Sequence, residues 1–169
     1  MLKKKKVTNP KKKMQIAIVV GVIIIVGVII LYYNLDQAQI SGQSFGNSLE
    51  QIQNVLINET ADYDSKLALY QNGSITKQNM LQISDEHIAI LNDVLSKYNK
   101  LKPPEPFAPS LELFRLSAQE QLDSYKLIKQ WIQTGDNSTK VRSDQLFGQS
   151  FYYETRALDS FNKAKTNPE

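Results

Sequence analysis

The sequence contains no cysteine and a single histidine, His87. The lack of thiolates excludes a disulfide framework and a lipoprotein-type modified cysteine, and one imidazole is too few for the ligand sets of zinc or copper sites. Phosphate-binding loops, dinucleotide-binding fingerprints and serine nucleophile elbows are also missing. We therefore expect no enzyme, no catalytic residue, no cofactor and no metal site.

Two acidic segments resemble functional sites, and neither has the required spacing. Asp62–Lys66 begins like a calcium-binding loop, but Lys66 takes the fifth position, and the glycine and distal glutamate of such a loop do not follow. Asp85 and Glu86 are adjacent, so on a helix they diverge by about 100° and cannot share a proton. His87 lies on a predicted inward stripe, which favours a structural side chain over a ligand.

No lysine or arginine occurs between Lys13 and Lys66, and this gap contains one long apolar run. The run from Ile16 to Tyr33 has eighteen residues without a charge, thirteen of them Ile, Val or Leu. A helix of that length covers about 27 Å, close to the hydrocarbon thickness of a bilayer. We predict a transmembrane helix over residues 14–33.

Seven lysines precede the apolar run, at positions 3–6 and 11–13. Lysine and arginine bias short flanking segments towards the cytoplasm, so residues 1–13 are predicted to be a cytoplasmic leader. Residues 34–43 then form a juxtamembrane linker, and residues 44–169 form an extracytoplasmic domain. The partners expected on this basis are the lipid bilayer and a protein outside the cytoplasm.

The apolar run is longer than the core of a cleaved signal peptide, and no small-x-small cleavage site follows it. A basic leader before an apolar helix also resembles a type IV pilin precursor. However, Lys13–Ile16 lacks the small residue that precedes the pilin cleavage site, and the run contains no glutamate. We therefore predict an uncleaved signal-anchor.

Residues 34–169 carry 13 basic and 17 acidic side chains, a net charge of −4, although the whole chain has a net charge of +3. An acidic domain has no electrostatic reason to bind nucleic acid, so no nucleic-acid partner is expected. Three Asn-x-Ser/Thr sequons in this domain are candidate N-glycosylation sites. Their acceptor residues are Asn58, Asn72 and Asn137.

Four amphipathic stretches follow, each with apolar residues at helical spacing. Asn72–Gly73 separates the first two, because glycine can end a helix in the left-handed conformation, and Thr76 can cap the second helix. The second is predicted to end at Lys102, because Pro103 disfavours helical geometry in the residue before it. The predicted inward residues are Phe45, Leu49, Ile52, Leu56, Tyr63 and Tyr70 on the first helix, and Met80, Ile83, His87, Leu91, Val94, Tyr98 and Leu101 on the second.

A third helix is predicted to begin between Pro106 and Ser110 and to end at Gly135–Asp136. A fourth then begins at Asp136 or Ser138 and frays at Thr166–Pro168. The predicted inward residues are Leu111, Phe114, Ala118, Leu122, Tyr125, Ile128 and Ile132 on the third helix, and Val141, Phe147, Phe151, Leu158 and Phe161 on the fourth. No stretch shows the period-two alternation of a strand.

The predicted fold is all-α: an N-terminal transmembrane helix followed by an antiparallel up-down four-helix bundle, with a coiled-coil-like seam in its first helix. The turn motifs Leu69–Gly73, Leu101–Pro104 and Gly135–Asp136 resemble those of uncharacterised single-pass membrane proteins of archaea and bacteria that carry an exported helical bundle. That resemblance implies the fold and no activity. The domain also resembles four-helix ligand-sensing domains of bacterial receptors, which continue into a second membrane helix and a cytoplasmic output region.

The last two predicted helices contain more aromatic rings than one inward stripe can bury. The excess rings either complete the core or form an exposed patch that docks a partner, since Trp and Tyr are common interface anchors. Tyr152 and Tyr153 diverge by about 100°, so at most one of them can lie at the centre of the core. The candidate partner-binding residues are Trp131, Tyr152 and Tyr153.

Three functions are compatible with these observations. The first is a membrane-anchored extracytoplasmic interaction module that binds a protein partner or serves as an accessory subunit of a membrane complex. The second is a small-molecule-sensing bundle that acts through a partner, which a roomy pocket near His87, Tyr98 and Tyr125 would favour. The third is a pilin-like filament subunit.

Overall fold

The computed structural model describes residues 40–166, and over that range it contains helices and turns but no strand. The prediction of an all-helical domain with four packed helices is confirmed. The elements are α1 (Ile40–Gln71), α2 (Lys77–Lys100), a 3-10 turn (Glu105–Phe107), α3 (Ala108–Thr134) and α4 (Asn137–Thr166).

The leader predicted over residues 1–13 and the transmembrane helix predicted over residues 14–33 lie outside the described residues. None of the described helices has a stretch both long and apolar enough to cross a bilayer. Helix α1 begins at Ile40, within the segment 34–43 that is predicted to be a juxtamembrane linker, so Gly42 belongs to the helix. A glycine inside a helix costs only about 1 kcal/mol relative to alanine, which a long helix with a packed face can offset.

Glycines end α1 and α3, as the sequence predicts. Gly73 has a φ of 82° and Gly135 a φ of 75°, in the left-handed region that side chains with a Cβ avoid. The amide of Gly135 donates to the carbonyl of Trp131 at 2.7 Å, and the amide of Ser74 donates to the carbonyl of Leu69 at 2.9 Å. These bonds satisfy carbonyls in the last turn of each helix.

Polar side chains cap the starts of α2 and α4. Thr76 Oγ1 accepts a hydrogen bond from the amide of Asn79 at 3.2 Å, which confirms Thr76 as the cap of α2. Asp136 Oδ1 accepts from the amide of Ser138 at 2.8 Å at the start of α4. Each bond satisfies an amide donor that has no partner within its own helix.

Helix α2 ends at Lys100, two residues before the predicted end at Lys102. The backbone of Leu101 is already extended, with φ −66° and ψ 138°. Pro103 excludes helical geometry for the residue before it, and Pro104 supplies no amide donor, so the chain leaves the helix early.

The connector after α2 closes one end of the bundle through Phe107. The ring of Phe107 packs against Phe45 of α1, with centroids 5.7 Å apart, and against Phe161 of α4, with centroids 5.0 Å apart. The proline-rich connector therefore brings a core side chain between two helices that are distant in sequence.

Helices that are consecutive in sequence run in opposite directions. Where side chains bond across two consecutive helices, residues near the end of one helix meet residues near the start of the next, and the reverse. This is the pattern expected for antiparallel neighbours. The pairs are Gln53–Tyr98 and Tyr63–Ser84 between α1 and α2, Lys77–Gln133 and Asp85–Lys129 between α2 and α3, and Ser117–Glu154 and Ser124–Ser143 between α3 and α4.

The predicted inward stripes form most of the core. Half-buried members at its edge are Tyr70, Ile83, Leu101, Leu111, Phe147 and Phe151. The fully buried members are Phe45, Leu49, Ile52, Leu56 and Tyr63 on α1, Met80, His87, Leu91, Val94 and Tyr98 on α2, Phe114, Ala118, Leu122, Tyr125, Ile128 and Ile132 on α3, and Leu158 and Phe161 on α4.

Helices α3 and α4 make the most extensive helix pairing in the described structure. Small buried residues recur every seven positions on both helices, and small side chains let two helix backbones approach closely. We call these two rows the small-residue seam: Ser110, Ser117 and Ser124 on α3, and Ser143, Ser150, Ala157 and Ala164 on α4. Every hydroxyl of the seam has a hydrogen-bond partner, so burying these serines leaves none of them unsatisfied.

The prediction that Val141 faces the core is wrong, because its side chain is 57% exposed. Val141 precedes the buried Ser143 by two residues, or about 200° around the helix, and therefore lies on the outer side. The inward positions of α4 alternate steps of four and three residues: Ser143, Phe147, Ser150, Glu154, Ala157, Phe161 and Ala164.

Replacing Leu122, which is 2% exposed at the centre of α3, with Ala should lower the free energy of unfolding by about 2–5 kcal/mol. The matched control is Leu69→Ala on α1, where a side chain that is 39% exposed should cost less than about 1 kcal/mol. Urea denaturation followed by circular dichroism measures both. Equal losses for the two variants would contradict the assigned core.

Candidate functional site

Four buried polar atoms, one from each helix, have no hydrogen-bond partner among the described residues. They are Gln53 Oε1 on α1, His87 Nε2 on α2, Tyr125 Oη on α3 and Glu154 Oε1 on α4. Buried polar atoms are nearly always bonded, so exceptions mark strain, a bound water or a functional group. These side chains form the candidate site, and they fall into two clusters.

The Glu154 cluster takes one side chain from each helix: Gln53, Tyr98, Ser117 and Glu154. Ser117 Oγ donates to Glu154 Oε2 at 2.9 Å across the small-residue seam. Gln53 Nε2 donates to Tyr98 Oη at 2.7 Å. Burial raises the pKa of the Tyr98 hydroxyl well above its ordinary value, and the nearby Glu154 carboxylate raises it further. The cluster therefore holds one ionisable acid among neutral groups.

Glu154 is 2% exposed. Burial raises the pKa of its carboxyl to about 7, because the charged form loses its hydration, and the hydrogen bond from Ser117 offsets only part of this effect. The carboxyl can thus take up or release a proton near neutral pH. A substrate from solution does not reach so deeply buried a group in this conformation, so its chemistry is proton binding.

The His87 cluster consists of Tyr63, Ser84, His87 and Tyr125. The rings of Tyr63 and His87 stack with centroids 4.5 Å apart, and Tyr125 meets His87 edge-on at 4.4 Å. Tyr63 Oη and Ser84 Oγ share a hydrogen bond of 2.9 Å. Tyr125 Oη lies next to Thr60 but makes no hydrogen bond of ordinary geometry. Aromatic packing therefore holds this cluster together more than hydrogen bonding does.

All three rings of the His87 cluster are uncharged at neutral pH. Burial lowers the pKa of His87 to about 4, because an imidazolium in the core loses its hydration, and the charge of Asp62 offsets a small part. Burial also raises the pKa of Tyr63 to about 12 and that of Tyr125 well above its ordinary value. His87 lies in the core, as its place on the inward stripe predicts.

Asp64 extends the His87 cluster towards the surface. Burial raises the pKa of its carboxyl to about 6, and the charge of Lys140 on α4 lowers it in part. Lys140 also forms an ion pair with Asp144 on its own helix. Asp64 and Lys140 thus make an electrostatic contact between the first and last helices.

The structure does not bring together His87, Tyr98 and Tyr125, the three residues of the hypothetical pocket. His87 and Tyr125 are in contact, but Tyr98 lies eleven residues further along α2, a rise of about 16 Å, and belongs to the Glu154 cluster. The two clusters are therefore separate sites within one core.

The predicted partner-binding residues lie in two different places. Trp131 is half-buried and packs edge-on against Tyr70 of α1, with centroids 6.2 Å apart. Tyr152 is 54% exposed, and the half-buried Tyr153 lies beside it, with centroids 5.8 Å apart. Arg156 Nη1 donates to Tyr152 Oη at 2.8 Å, and its guanidinium carbon lies 5.7 Å from the centre of the tyrosine ring.

These three rings do not form one patch. Glu154, two residues after Tyr152, bonds to Ser117 of α3, and Trp131 lies fourteen residues beyond Ser117, a rise of about 21 Å. Trp131 packs at one end of the bundle, whereas Tyr152 presents its ring to solvent near the middle of α4.

The three sequons differ in accessibility. Asn58 is exposed on α1, but the hydroxyl of its Thr60 faces inward and donates to Gln121 Oε1 at 3.4 Å. Asn72 and Ser74 are both exposed in the turn after α1, where Asn72 Oδ1 accepts from the amide of Ser74 at 3.0 Å. Asn137 is exposed as the first residue of α4. The Asn72 sequon is the most open of the three.

Within residues 40–166, no group of three or more His, Asp or Glu side chains is placed to hold a metal ion. The acidic segments noted in the sequence have ordinary helical surroundings. Asp62 pairs with Lys66 one turn later on α1 at 3.2 Å, and Asp85 of α2 pairs with Lys129 of α3.

Comparisons with protein-family models, with curated proteins and with solved structures find no match to this chain. The site is therefore defined by its own geometry. Sequence reasoning missed Gln53 and Glu154, although a signal for Glu154 exists. It lies midway between Phe147 and Phe161 at seven-residue spacing, which places it on the inward stripe of α4.

Because the pKa of His87 is lower in the folded protein than in the unfolded chain, the unfolded chain binds a proton first as the pH falls. The contribution of His87 to stability should therefore be complete above pH 6.5 and fall by about 3 kcal/mol as the pH drops towards 4. Glu154 and Asp64, whose pKa values are raised, oppose this trend, so the measured quantity is the difference between wild type and His87→Gln. That difference in unfolding free energy should shrink from pH 7 to pH 4. A difference that does not change with pH would refute the assigned burial of the ring.

Proposed function

We propose that this protein is a membrane-anchored interaction module whose helical domain lies outside the cytoplasm and binds a protein partner through α4. The apolar run Ile16–Tyr33 and the lysines before it support the anchor and its orientation. The likeness of the turn motifs to those of exported bundles in single-pass proteins supports the same placement. The observation that carries the docking proposal is an exposed tyrosine on α4, Tyr152, whose hydroxyl accepts a hydrogen bond from Arg156.

The docking surface is the outer face of α4, defined by Val141, Gly148 and Tyr152. At 100° per residue, these positions lie within about 40° of one another around the helix. Val141 and Tyr152 are two of the three exposed large hydrophobic side chains among the described residues, the third being Leu69. Exposed apolar side chains on one helix face are typical of an interaction site.

Tyr152 is held ready for contact. Arg156 bonds to its hydroxyl and lies beside its ring, so the tyrosine loses little side-chain freedom when a partner binds. Tyrosine and arginine are the residue types that most often dominate binding energy at protein interfaces.

Gly148 has no role in the fold that the structure reveals. An added Cβ would meet no atom within 4 Å, and its φ is not in the left-handed region. A glycine inside an exposed helix costs about 1 kcal/mol relative to alanine. A partner backbone that approaches α4 at this position explains why a glycine is useful between Val141 and Tyr152.

A second candidate function is capture of a small molecule within the His87 cluster, which the unpartnered His87 Nε2 and Tyr125 Oη favour. An aromatic ligand with hydrogen-bonding groups could satisfy both atoms. It would have to separate rings that now contact one another at 4.4 to 4.8 Å. A ligand that raises the melting temperature of wild type but not of His87→Gln would support sensing over docking.

Replacing the seven leader lysines with Gln should invert part of the population, because the leader then no longer favours the cytoplasmic side. Protease treatment of intact cells measures this: the helical domain of the wild type should be cleaved, and a fraction of the variant should be protected. The control replaces the same seven lysines with Arg, which keeps the charge of the leader. A variant as accessible as wild type would refute the proposed role of the leader.

Replacing Tyr152 with Ser should reduce recovery of the partner about tenfold or more, the equivalent of about 1.4 kcal/mol, and change unfolding free energy by less than about 0.5 kcal/mol. A photo-crosslinking residue at position 152 identifies the partner in intact membranes, and quantitative co-purification then compares variants. Leu69→Ser, an exposed apolar position on α1, is the matched control and should keep full recovery.

Gly148→Leu provides an independent check of the same surface. The side chain should not destabilise the domain, because the space around Gly148 is open, but it should block close approach of the partner. Full binding by both Tyr152→Ser and Gly148→Leu would refute docking at the outer face of α4.

A further inference from the structure

Glu154 is an acid in the core, and among the described residues no cation lies beside it. Its neighbours are Ser117 from α3, which donates to Oε2, Tyr98 from α2, and Gln53 from α1, which reaches Tyr98. The remaining oxygen, Oε1, has no partner. A carboxylate in this position leaves both a charge and an acceptor unsatisfied, whereas a protonated carboxyl leaves no charge.

We propose that Glu154 is a proton-binding switch that controls how firmly α4 packs: with the proton bound, α4 lies closed against the bundle, and without it α4 opens more often. Opening exposes Oε1 to water, which solvates the carboxylate. The proposal concerns packing within the described residues, and it depends neither on the membrane anchor nor on the docking surface.

The polarity of the inner face of α4 supports this assignment. Between Asn137 and Glu154, the buried positions of α4 are Ser143, Ser150 and Glu154 itself. Its buried apolar side chains, Ala157, Leu158, Phe161 and Ala164, all follow Glu154. The first half of α4 is therefore held by hydroxyl contacts and by the half-buried Leu146, Phe147 and Phe151, and local opening costs least where few fully buried apolar contacts must be broken.

The direction of the pH dependence follows from the raised pKa. The carboxyl has a pKa of about 7 when α4 is closed, and an exposed glutamate has one of about 4.3. The closed state therefore binds more protons than the open state. The free energy that favours closure thus falls as the pH rises from about 4.5 to about 7, and it stays constant at higher pH.

Other ionisable groups also face α4 and must be separated from Glu154. Asp64 of α1 has a pKa of about 6 and interacts with Lys140, which pairs with Asp144. His87 of α2 has a pKa of about 4 and is already neutral at the pH values of interest. The tyrosines of both clusters, Tyr63, Tyr98 and Tyr125, have raised pKa values and stay protonated. Asp64 is thus the other group whose titration can change the opening of α4 between pH 5.5 and 8.5.

Hydrogen–deuterium exchange on the full chain in detergent micelles tests the switch. Exchange rates of α4 peptides, corrected for the intrinsic effect of pH, should show an opening constant that rises about 30-fold from pH 5.5 to 8.5, as the two pKa values require. In Glu154→Gln, which mimics the protonated side chain, the rise should fall to the few-fold change that the titration of Asp64 contributes. Asp64→Asn should keep most of it, and Glu86→Gln, at an exposed glutamate on α2, should keep all of it.

A rise of about 30-fold that persists in Glu154→Gln, or a wild type that lacks this rise, would overturn the proposal. Because a core variant can disturb folding, carboxyl ¹³C NMR of wild type gives a second readout. The Glu154 signal should titrate with a midpoint near pH 7, and a midpoint between 4 and 5 would equally overturn the proposal.

Discussion

The close packing of α3 against α4 is the constraint on which the rest of the domain depends. Serines and alanines repeat every seven residues on both helices, and their small size lets the two backbones approach. That approach brings Ser117 Oγ within 2.9 Å of Glu154 Oε2 and Ser124 Oγ within 2.9 Å of the carbonyl of Ser143. The small side chains of the seam contribute little apolar area, so the contact along the seam relies on fit and hydrogen bonding, while larger aliphatic and aromatic side chains from all four helices fill the shared core.

Buried polar groups in this core fall into two classes with different physical consequences. The seam hydroxyls all have hydrogen-bond partners, and the bonds of Ser117 to Glu154 and of Ser124 to Ser143 cross between α3 and α4 and fix their register at little cost. The four unpartnered atoms instead raise the energy of the folded state. Of the side chains that carry them, Glu154 differs from Gln53, His87 and Tyr125 because its charge can change near neutral pH. The core therefore contains serine hydroxyls that help to specify the fold and a glutamate carboxyl whose charge changes with pH.

Within residues 40–166, the sequence predicted the number of helices, their order and nearly all of their ends, because those features depend on local chemistry. Gly73, Gly135 and Thr76 act through backbone conformation and one side-chain bond, and such effects need no knowledge of neighbouring helices. The inward face of α4 was predicted correctly from Phe147 onward but not at its start, because the inward positions there are small or polar and a search for apolar residues selects Val141 instead of Ser143. The clusters were missed for a related reason. Whether Glu154 meets a cation or a serine depends on which residue of α3 lies opposite, and that is a property of tertiary packing.

The two sides of α4 lead to one mechanistic conclusion. Tyr152 and Glu154 are two residues apart, hence about 200° around the helix, so one turn carries both the exposed ring and the buried acid. A partner that binds the outer face adds contacts to closed α4 and by linkage raises the affinity of Glu154 for its proton, while loss of that proton weakens binding by the same factor. The coupling free energy between proton and partner cannot exceed the difference in proton-binding free energy between open and closed α4. It is zero if the partner binds open and closed α4 equally well. The proposed proton binding and the proposed docking are thus separable, and among the described helices α4 is the one that would carry both.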